Sequence, residues 1–189
     1  MKLSIVKSTR MRKLLFIIIL LVGFSSCQVQ NSEKTQIKIG SELLDGNETT
    51  TPIVAGDLST QEVWLKYIDA HNNRDLEAIA SINHQDWIGY TPDGSVVKGN
   101  ETHIEILDNW FKTSNPNWKV KWMIANGVVN NDGEVEQYLT TANDFSDIDS
   151  NGTEIKEHNI HDILFVNGKI KKITVYKRAI ADETAEFSY

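Results

Sequence analysis

Two histidines lie three residues apart near the end of the chain, in the stretch Glu157–Phe165, which reads EHNIHDILF. On a helix this spacing would place both rings on one face, as a two-histidine metal site requires, but on a strand an odd spacing places them on opposite faces. The stretch precedes Asn167-Gly168, the strongest short hairpin signal, which predicts a strand. We therefore expect no metal site here, with His161 facing inward beside Phe165 and His158 facing outward. Whether His161 meets a ligand or is a hydrogen-bonded structural histidine stays open.

A second pair that could do chemistry lies earlier in the chain. Tyr67 and His71 are one helical turn apart in a predicted helix, so both could face one cavity. Tyr67 and His161 are the candidate catalytic residues, as hydrogen-bond donor and titrating group. For His71 we instead expect a cap that interacts with the dipole at the helix C-terminus.

Aromatic residues are numerous for a domain of this size. Core filling explains part of the set, but an aromatic-lined pocket for a small, largely apolar molecule would use the same residues. The predicted pocket residues are Trp64, Trp87, Tyr90, Trp110, Trp122, Phe165 and Tyr176.

Other chemical motifs are weak in this sequence. Asp144, Asp147 and Asp149 resemble a calcium loop in composition, but no glutamate ends a twelve-residue loop in register, so we interpret SDIDSNG as a solvated turn. The sequence has no phosphate-cradling glycine loop and no assignable Ser/His/Asp or Cys/His arrangement. We therefore expect no metal and no cofactor.

The elements that must position these residues begin with helices. Ser59 and Glu62 have the spacing of a capping box before a helix with an aromatic face. Asp75 is the expected cap of the short helix LEAIASI. Asn100 is the expected cap of a third helix, after the strand DWIGY and the turn TPDGS.

Strands dominate the rest of the chain. In NWKVKWMI, alternation predicts that Trp118, Val120, Trp122 and Ile124 share one face. Turns at Asp132-Gly133, DIDSNGTE and Asn167-Gly168 separate this strand from three more. The predicted fold class is α+β, a curved antiparallel sheet over three N-terminal helices.

The N-terminus indicates export. A basic region precedes the apolar run LLFIIILLVGF, small residues and Cys27, which is the only cysteine. This pattern is typical of a secretory signal, and LVGFSSC resembles a lipobox whose cysteine is acylated. The alternative is an ordinary signal peptide that leaves a free thiol. We expect a signal peptide at 1–26, a flexible tether at 27–58, a domain at 59–181 and a tail at 182–189.

Charge excludes one class of partner. Five basic residues and no acidic ones lie within residues 1–27, so the formal charge changes from −7 for the whole chain to −12 without them. Nucleic-acid binding needs a basic surface and is not expected. The membrane contact that we expect is therefore the lipid on Cys27, which would place the protein at the bacterial cell envelope.

From about Ser59 to Arg178 the chain resembles the nuclear-transport-factor-2-like superfamily, in particular its polyketide-cyclase-like (SnoaL-like) members. The stretches that carry the resemblance are YIDAHNNRDLEAIASI, GYTPDGSVVKGNETHIEILDNWF and HDILFVNGKIKKITVY. The resemblance implies a cone-shaped fold with a pocket between sheet and helices, and a homodimer through the outer sheet face. Members include isomerases, dehydratases, cyclases, ligand carriers and protein-binding modules, so fold does not settle function.

The ketosteroid isomerases of this superfamily offer three positions to compare. Tyr67 matches their oxyanion-hole tyrosine, and His161 falls where they keep a protonated aspartate. Thr91, before Pro92, stands where their general-base aspartate lies, and a threonine hydroxyl cannot take that role without its own base. The lipobox, the aromatic residues and this resemblance together favour an envelope lipoprotein whose domain binds a small, largely apolar ligand. The alternatives are an isomerase-, dehydratase- or cyclase-type acid–base enzyme, or an interaction module with a filled pocket.

Overall fold

The computed structural model describes residues 36–43 and 50–180, which form three helices and one eight-stranded sheet. The helices are α1 (Ser59–Asn72), α2 (Leu76–Ile82) and α3 (Asn100–Thr113). The strands are β1 (Lys38–Leu43), β2 (Thr50–Ala55), β3 (Asn83–Tyr90), β4 (Val96–Lys98), β5 (Asn117–Val129), β6 (Val135–Ile148), β7 (Glu154–Val166) and β8 (Lys169–Ala179). The predicted α+β class is confirmed.

The sheet has the strand order β1-β2-β5-β6-β7-β8-β3-β4. The predicted meander of β5 to β8 is antiparallel throughout, but β3 pairs with β8 in parallel, with Gly89 opposite Ile173. The expectation of a purely antiparallel sheet is therefore wrong at this one pair. A parallel partner distant in sequence leaves no turn signal, because its connection runs through a helix and several strands.

The predicted tether is wrong for residues 38–43 and 50–55. These residues form β1 and β2, and β2 pairs with β5 through Ile53 opposite Val128. Val54 is buried with 3% of its surface exposed, so this segment contributes to the core. The strands were missed because most of their side chains are exposed, which hides the alternation of period two. The predicted signal peptide, Cys27 and the 182–189 tail lie outside the described residues.

Of the three predicted helix caps, one is formed and two are not. Asp75 caps α2 as predicted, its Oδ1 accepting from the Ala78 N–H over 2.9 Å. The Ser59 capping box is not formed, because Oδ1 of Asp57 accepts the Ser59 N–H instead. Asn100 lies inside the first turn of α3 after Gly99, and its side chain bonds to the Ala80 carbonyl rather than to its own helix.

A β-bulge at Lys121 reverses the direction of the side chains in the second part of β5. The register with β6 passes from Val120 directly to Trp122, so Lys121 is an extra residue. After the bulge Met123 faces the core, while Trp122 is 45% exposed. The prediction that Trp118 and Trp122 share a face is wrong for this reason.

The turn at Asn167-Gly168 connects β7 and β8 as predicted. Its two residues have φ angles of 52° and 72°, the left-handed values that favour Asn and Gly in tight hairpins. This turn aligns β7 so that His161 pairs with Thr141 on one side and Val175 on the other. The alternation of side chains along β7 then places His161, Ile163 and Phe165 in the core.

The acidic stretch near the end of β6 forms no ion site in this structure. Asp144 and Asp147 lie within β6, while the Asp149 carboxylate accepts the N–H groups of Asn151 and Thr153 in the following turn. In residues 36–43 and 50–180, no group of three or more His, Cys, Asp or Glu side chains is arranged to hold a metal ion. Nor does any helix in these residues have the length and apolar character needed to cross a membrane.

Candidate functional site

A cavity of about 210 Å³ lies between helices α1 and α3 and the inner face of the sheet. Its wall contains aromatic and aliphatic side chains, three histidines and one threonine, and no lining residue is Asp, Glu, Lys or Arg. Tyr90 and Ile106 line it while 40% and 45% exposed, so the cavity reaches the surface between β3 and α3. The lining residues are Trp64, Tyr67, Ile68, His71, Trp87, Gly89, Tyr90, Thr91, Val97, His103, Ile106, Leu107, Trp110, Trp118, His161, Ile173 and Val175.

Most of the predicted site residues lie at this cavity. Its wall includes both candidate catalytic residues, Tyr67 and His161, together with the predicted pocket residues Trp64, Trp87, Tyr90 and Trp110. Phe165 is buried in the core but does not line the cavity. The roles of these cavity residues in binding or catalysis stay predictions.

Two predicted pocket residues lie instead on the outer face of the sheet. The bulge at Lys121 turns Trp122 outward, and Tyr176 faces outward because its neighbour Val175 faces inward. Trp122 and Tyr176 line a separate groove on that outer face. Neither can contribute to the inner cavity.

His158 and His161 lie on opposite faces of β7, as strand parity predicts. The His158 side chain is 39% exposed, and its Nδ1 lies 2.7 Å from Oδ1 of Asp144 on β6. His161 is buried, with its ring centroid 5.1 Å from that of Trp64. The two rings therefore cannot bind one ion.

His161 is an uncharged hydrogen-bond donor at neutral pH. Burial lowers its pKa to about 3, with repulsion from a protonated His71 as a smaller cause. The buried Asn143 amide donates to His161 Nδ1 over 2.9 Å, which leaves the ring proton on Nε2. His161 thus offers an N–H to the cavity, and it does not titrate near pH 7.

The predicted capping role of His71 is wrong. The ring is buried and lines the cavity, and its Nδ1–H donates to the Tyr67 carbonyl over 2.8 Å. Burial lowers the pKa of His71 to about 4, so at neutral pH it carries no charge that could stabilise a helix terminus. With its proton on Nδ1, the ring keeps an unprotonated Nε2.

His103 on α3 was missed by the sequence reasoning. It lies four residues before the buried Leu107, so its helical spacing was the signal that could have found it. Its imidazole stacks on the Trp87 indole with ring centroids 3.8 Å apart and an interplanar angle of 7°. Burial, and then the effect of His71, lowers the pKa of His103 to about 3.

A relay of amides sets the tautomer of His103. The Asn100 amide nitrogen donates to the Ala80 carbonyl over 3.0 Å, so the Asn100 oxygen is an acceptor. Asn83 Nδ2 donates to that oxygen over 2.9 Å and to His103 Nδ1 over 3.1 Å. Because Nδ1 accepts, the proton of the neutral ring lies on Nε2.

Five buried polar atoms in or next to the cavity wall make no hydrogen bond of ordinary geometry among the described residues. They are the Tyr67 hydroxyl, the indole nitrogens of Trp64 and Trp87, and Oδ1 of Asn83 and Asn143. Burial raises the pKa of Tyr67, against smaller lowering effects of Asn83 and Trp87, so the phenol stays protonated. Buried polar groups without partners are costly to the fold.

Thr91 lies at the mouth of the cavity, next to the partly exposed Tyr90. Its hydroxyl donates to the Asp93 carboxylate, which is the main reason that the pKa of Asp93 falls to about 2. The Thr91 hydroxyl is thus a donor to a carboxylate and is not activated as a base.

Comparison with solved structures gives the fold. An epoxide hydrolase from M. tuberculosis superposes with a TM-score of 0.54 at 13% identity, covering 64% of this chain and 83% of its own. A Shewanella denitrificans structure, assigned by inference as a SnoaL-like polyketide cyclase, gives a TM-score of 0.53 at 12% identity, covering 65% of this chain and 92% of its own. An inferred ketosteroid isomerase from Kribbella flavida gives 0.52 at 12% identity, covering 68% and 84%.

The chain has the nuclear-transport-factor-2-like fold. These similarities support that fold, as the sequence resemblance predicted, and at such identities they do not transfer an activity. The sequence itself matches no protein-family profile and no curated protein.

Proposed function

We propose that this nuclear-transport-factor-2-like domain binds a small, largely apolar molecule in the cavity between its helices and its sheet. The observation that carries the proposal is a cavity of about 210 Å³ whose wall is aromatic and free of charged residues. An engineered apolar cavity of about 150 Å³ is known to admit benzene, so a one- or two-ring molecule fits this volume. Aromatic walls with a few buried polar groups are typical of small-molecule sites.

A binding experiment with a matched pair of blocked variants tests the proposal. Toluene and indole, titrated into the full-length protein by calorimetry and thermal shift, should bind and raise the melting temperature. Val175→Phe adds bulk to the cavity wall and should weaken binding. Ile124→Phe makes a similar change on the outer face, where Ile124 is 51% exposed, and should not. Absence of binding to the wild type, or equal binding by both variants, would refute the proposal.

An acid–base enzyme is the second candidate. The similarity to an epoxide hydrolase and to an inferred ketosteroid isomerase favours it, together with the burial of Tyr67 and His161 in one cavity. In that case Tyr67 and His161 act as uncharged hydrogen-bond donors to a reacting oxygen, and His161 is not the titrating group that the sequence suggested. Turnover of a small epoxide or unsaturated ketone that is lost in His161→Gln, with binding retained, would establish it.

The location that we propose for this domain is the bacterial envelope, through acylation of Cys27. The support is the position of the only cysteine directly after the apolar run and the small residues that precede it. Labelling with a fatty-acid probe should mark the wild type and not Cys27→Ala. Equal labelling of both proteins would exclude the anchor.

A further inference from the structure

His71 and His103 line the same cavity, and each keeps one ring nitrogen without a hydrogen bond, the two nitrogens being of opposite hydrogen-bonding character. His71 uses its Nδ1–H on the Tyr67 carbonyl, so its Nε2 is a free acceptor. The Asn83 amide occupies Nδ1 of His103, so its Nε2–H is a free donor. Neither Nε2 makes a hydrogen bond among residues 36–43 and 50–180. One acceptor and one donor are therefore available on two rings of the same cavity wall.

The distance between these two rings is compatible with a single bridging atom. Their centroids lie 6.2 Å apart. Each ring nitrogen lies roughly 1 Å from its ring centroid, so one oxygen at roughly 2.7–3.2 Å from both Nε2 atoms fits this centroid distance when the angle at the oxygen is bent. The bridging oxygen must accept from His103 and donate to His71, and a hydroxyl does both at one atom, whereas a carbonyl or ether oxygen only accepts.

We propose that the ligand of this cavity is an uncharged cyclic alcohol or phenol, whose hydroxyl accepts from His103 Nε2–H and donates to His71 Nε2. This inference rests on the proposed ligand-binding function and specifies the chemistry of the ligand. The apolar ring of the ligand then lies against the aromatic wall formed by residues such as Trp64 and Trp110.

The same wall disfavours charged ligands. A carboxylate or ammonium group loses its hydration on entry, and no lining residue supplies an opposite charge. The three imidazoles are uncharged at neutral pH because burial lowers each pKa. A phenol should therefore enter more readily than a benzoate of similar size.

The test compares phenol with toluene, which replaces the hydroxyl by a methyl group, and with benzoate. In calorimetric titrations of the full-length protein at pH 7, phenol should bind at least about tenfold more tightly than toluene, as expected for two added hydrogen bonds. Benzoate should bind most weakly of the three. Equal affinities, or a preference for toluene or benzoate, would overturn the hydroxyl assignment.

Substitutions locate the effect. His71→Phe and His103→Phe should each remove most of the preference for phenol while toluene still binds, which shows that the cavity is intact. His158→Phe on the outer face is the matched control and should keep the full preference. An unchanged preference in both cavity variants would overturn the proposal even if phenol binds. Failure of all three molecules to bind the wild type would instead remove the proposed function itself.

Discussion

The His103 imidazole lies flat against the Trp87 indole, with ring centroids 3.8 Å apart and 7° between their planes. The stack joins α3 to β3 and forms one side of the cavity. Behind it, Gly89 leaves the space that the Trp87 ring occupies, because a Cβ at this position would overlap the indole. The position of the Trp87–His103 stack thus depends on a residue without a side chain.

Gly89→Ala should move Trp87 and disturb the stack. We expect a loss of about 1–3 kcal/mol in the free energy of unfolding, typical of overpacking in a core, and a change in tryptophan fluorescence. Chemical unfolding measures the loss. Gly40→Ala is the matched control, because a Cβ there meets Ile53 only at ordinary distances of 3.7–3.8 Å. A fully tolerated Gly89→Ala would contradict the close packing.

Acidification should destabilise this protein through its three cavity histidines. Their folded pKa values are about 4, 3 and 3 for His71, His103 and His161, against 6.5 for a free side chain. Below pH 6.5 the unfolded chain binds more protons than the folded chain, so stability is present above that pH and is lost as pH falls toward the folded values. Each histidine contributes about 1.4 kcal/mol per pH unit within that window.

Unfolding titrations at pH 6 and pH 5 measure this loss. In His161→Gln the part of the loss that comes from the histidines should shrink by about one third, because one of three such groups is gone. Ile163→Val should lower stability by about 0.5–1.5 kcal/mol at both pH values and keep the full pH dependence, since all three imidazoles remain. An identical pH dependence in wild type and His161→Gln would show that this histidine is not held uncharged.

The two tryptophans of β5 should differ sharply when each is replaced by alanine. Trp118 is packed in the core, while Trp122 is 45% exposed after the bulge. Trp118→Ala should cost about 3–5 kcal/mol of stability. In dilute solution, Trp122→Ala should change the free energy of unfolding by no more than about 0.5 kcal/mol, as is usual for a surface substitution.

A larger Trp122 effect that grows with protein concentration would point to self-association. Trp122 and Tyr176 share the outer groove, so the expected homodimer through the sheet would bury them. Sedimentation of the wild type and Trp122→Ala over a range of concentrations separates the two cases.

The segment before α1 should contribute to stability. Val54 is buried, and its strand β2 pairs with β5. Val54→Ala should cost about 2 kcal/mol, from two lost carbons and the space that they leave. Val96→Ala is the control, because Val96 is 44% exposed on the short strand β4. A tether without contacts would instead make both substitutions neutral.

Local patterns predicted the parts of the fold that depend on neighbours in the sequence. The parity of β7 followed from the alternation around His161 and from the Asn167-Gly168 turn, since a hairpin of this kind sets its own register. The Asp75 cap was likewise visible, because its carboxylate bonds to an amide three residues later. The predicted Asn100 cap did not form, because the side chain of Asn100 bonds to the distant Ala80 carbonyl instead.

The sequence by itself determined the α+β class, the order of the central elements and the faces of His158 and His161, because these rest on periodicity and turn chemistry. Only the tertiary structure decided that His71, His103 and His161, from three separate elements, share one cavity as uncharged rings. Burial keeps the rings uncharged. Asn83 on β3 and Asn143 on β6 then set the tautomers of His103 and His161. The Lys121 bulge, which removes Trp122 from the site, also arises from pairing between strands and has no signature in the local pattern.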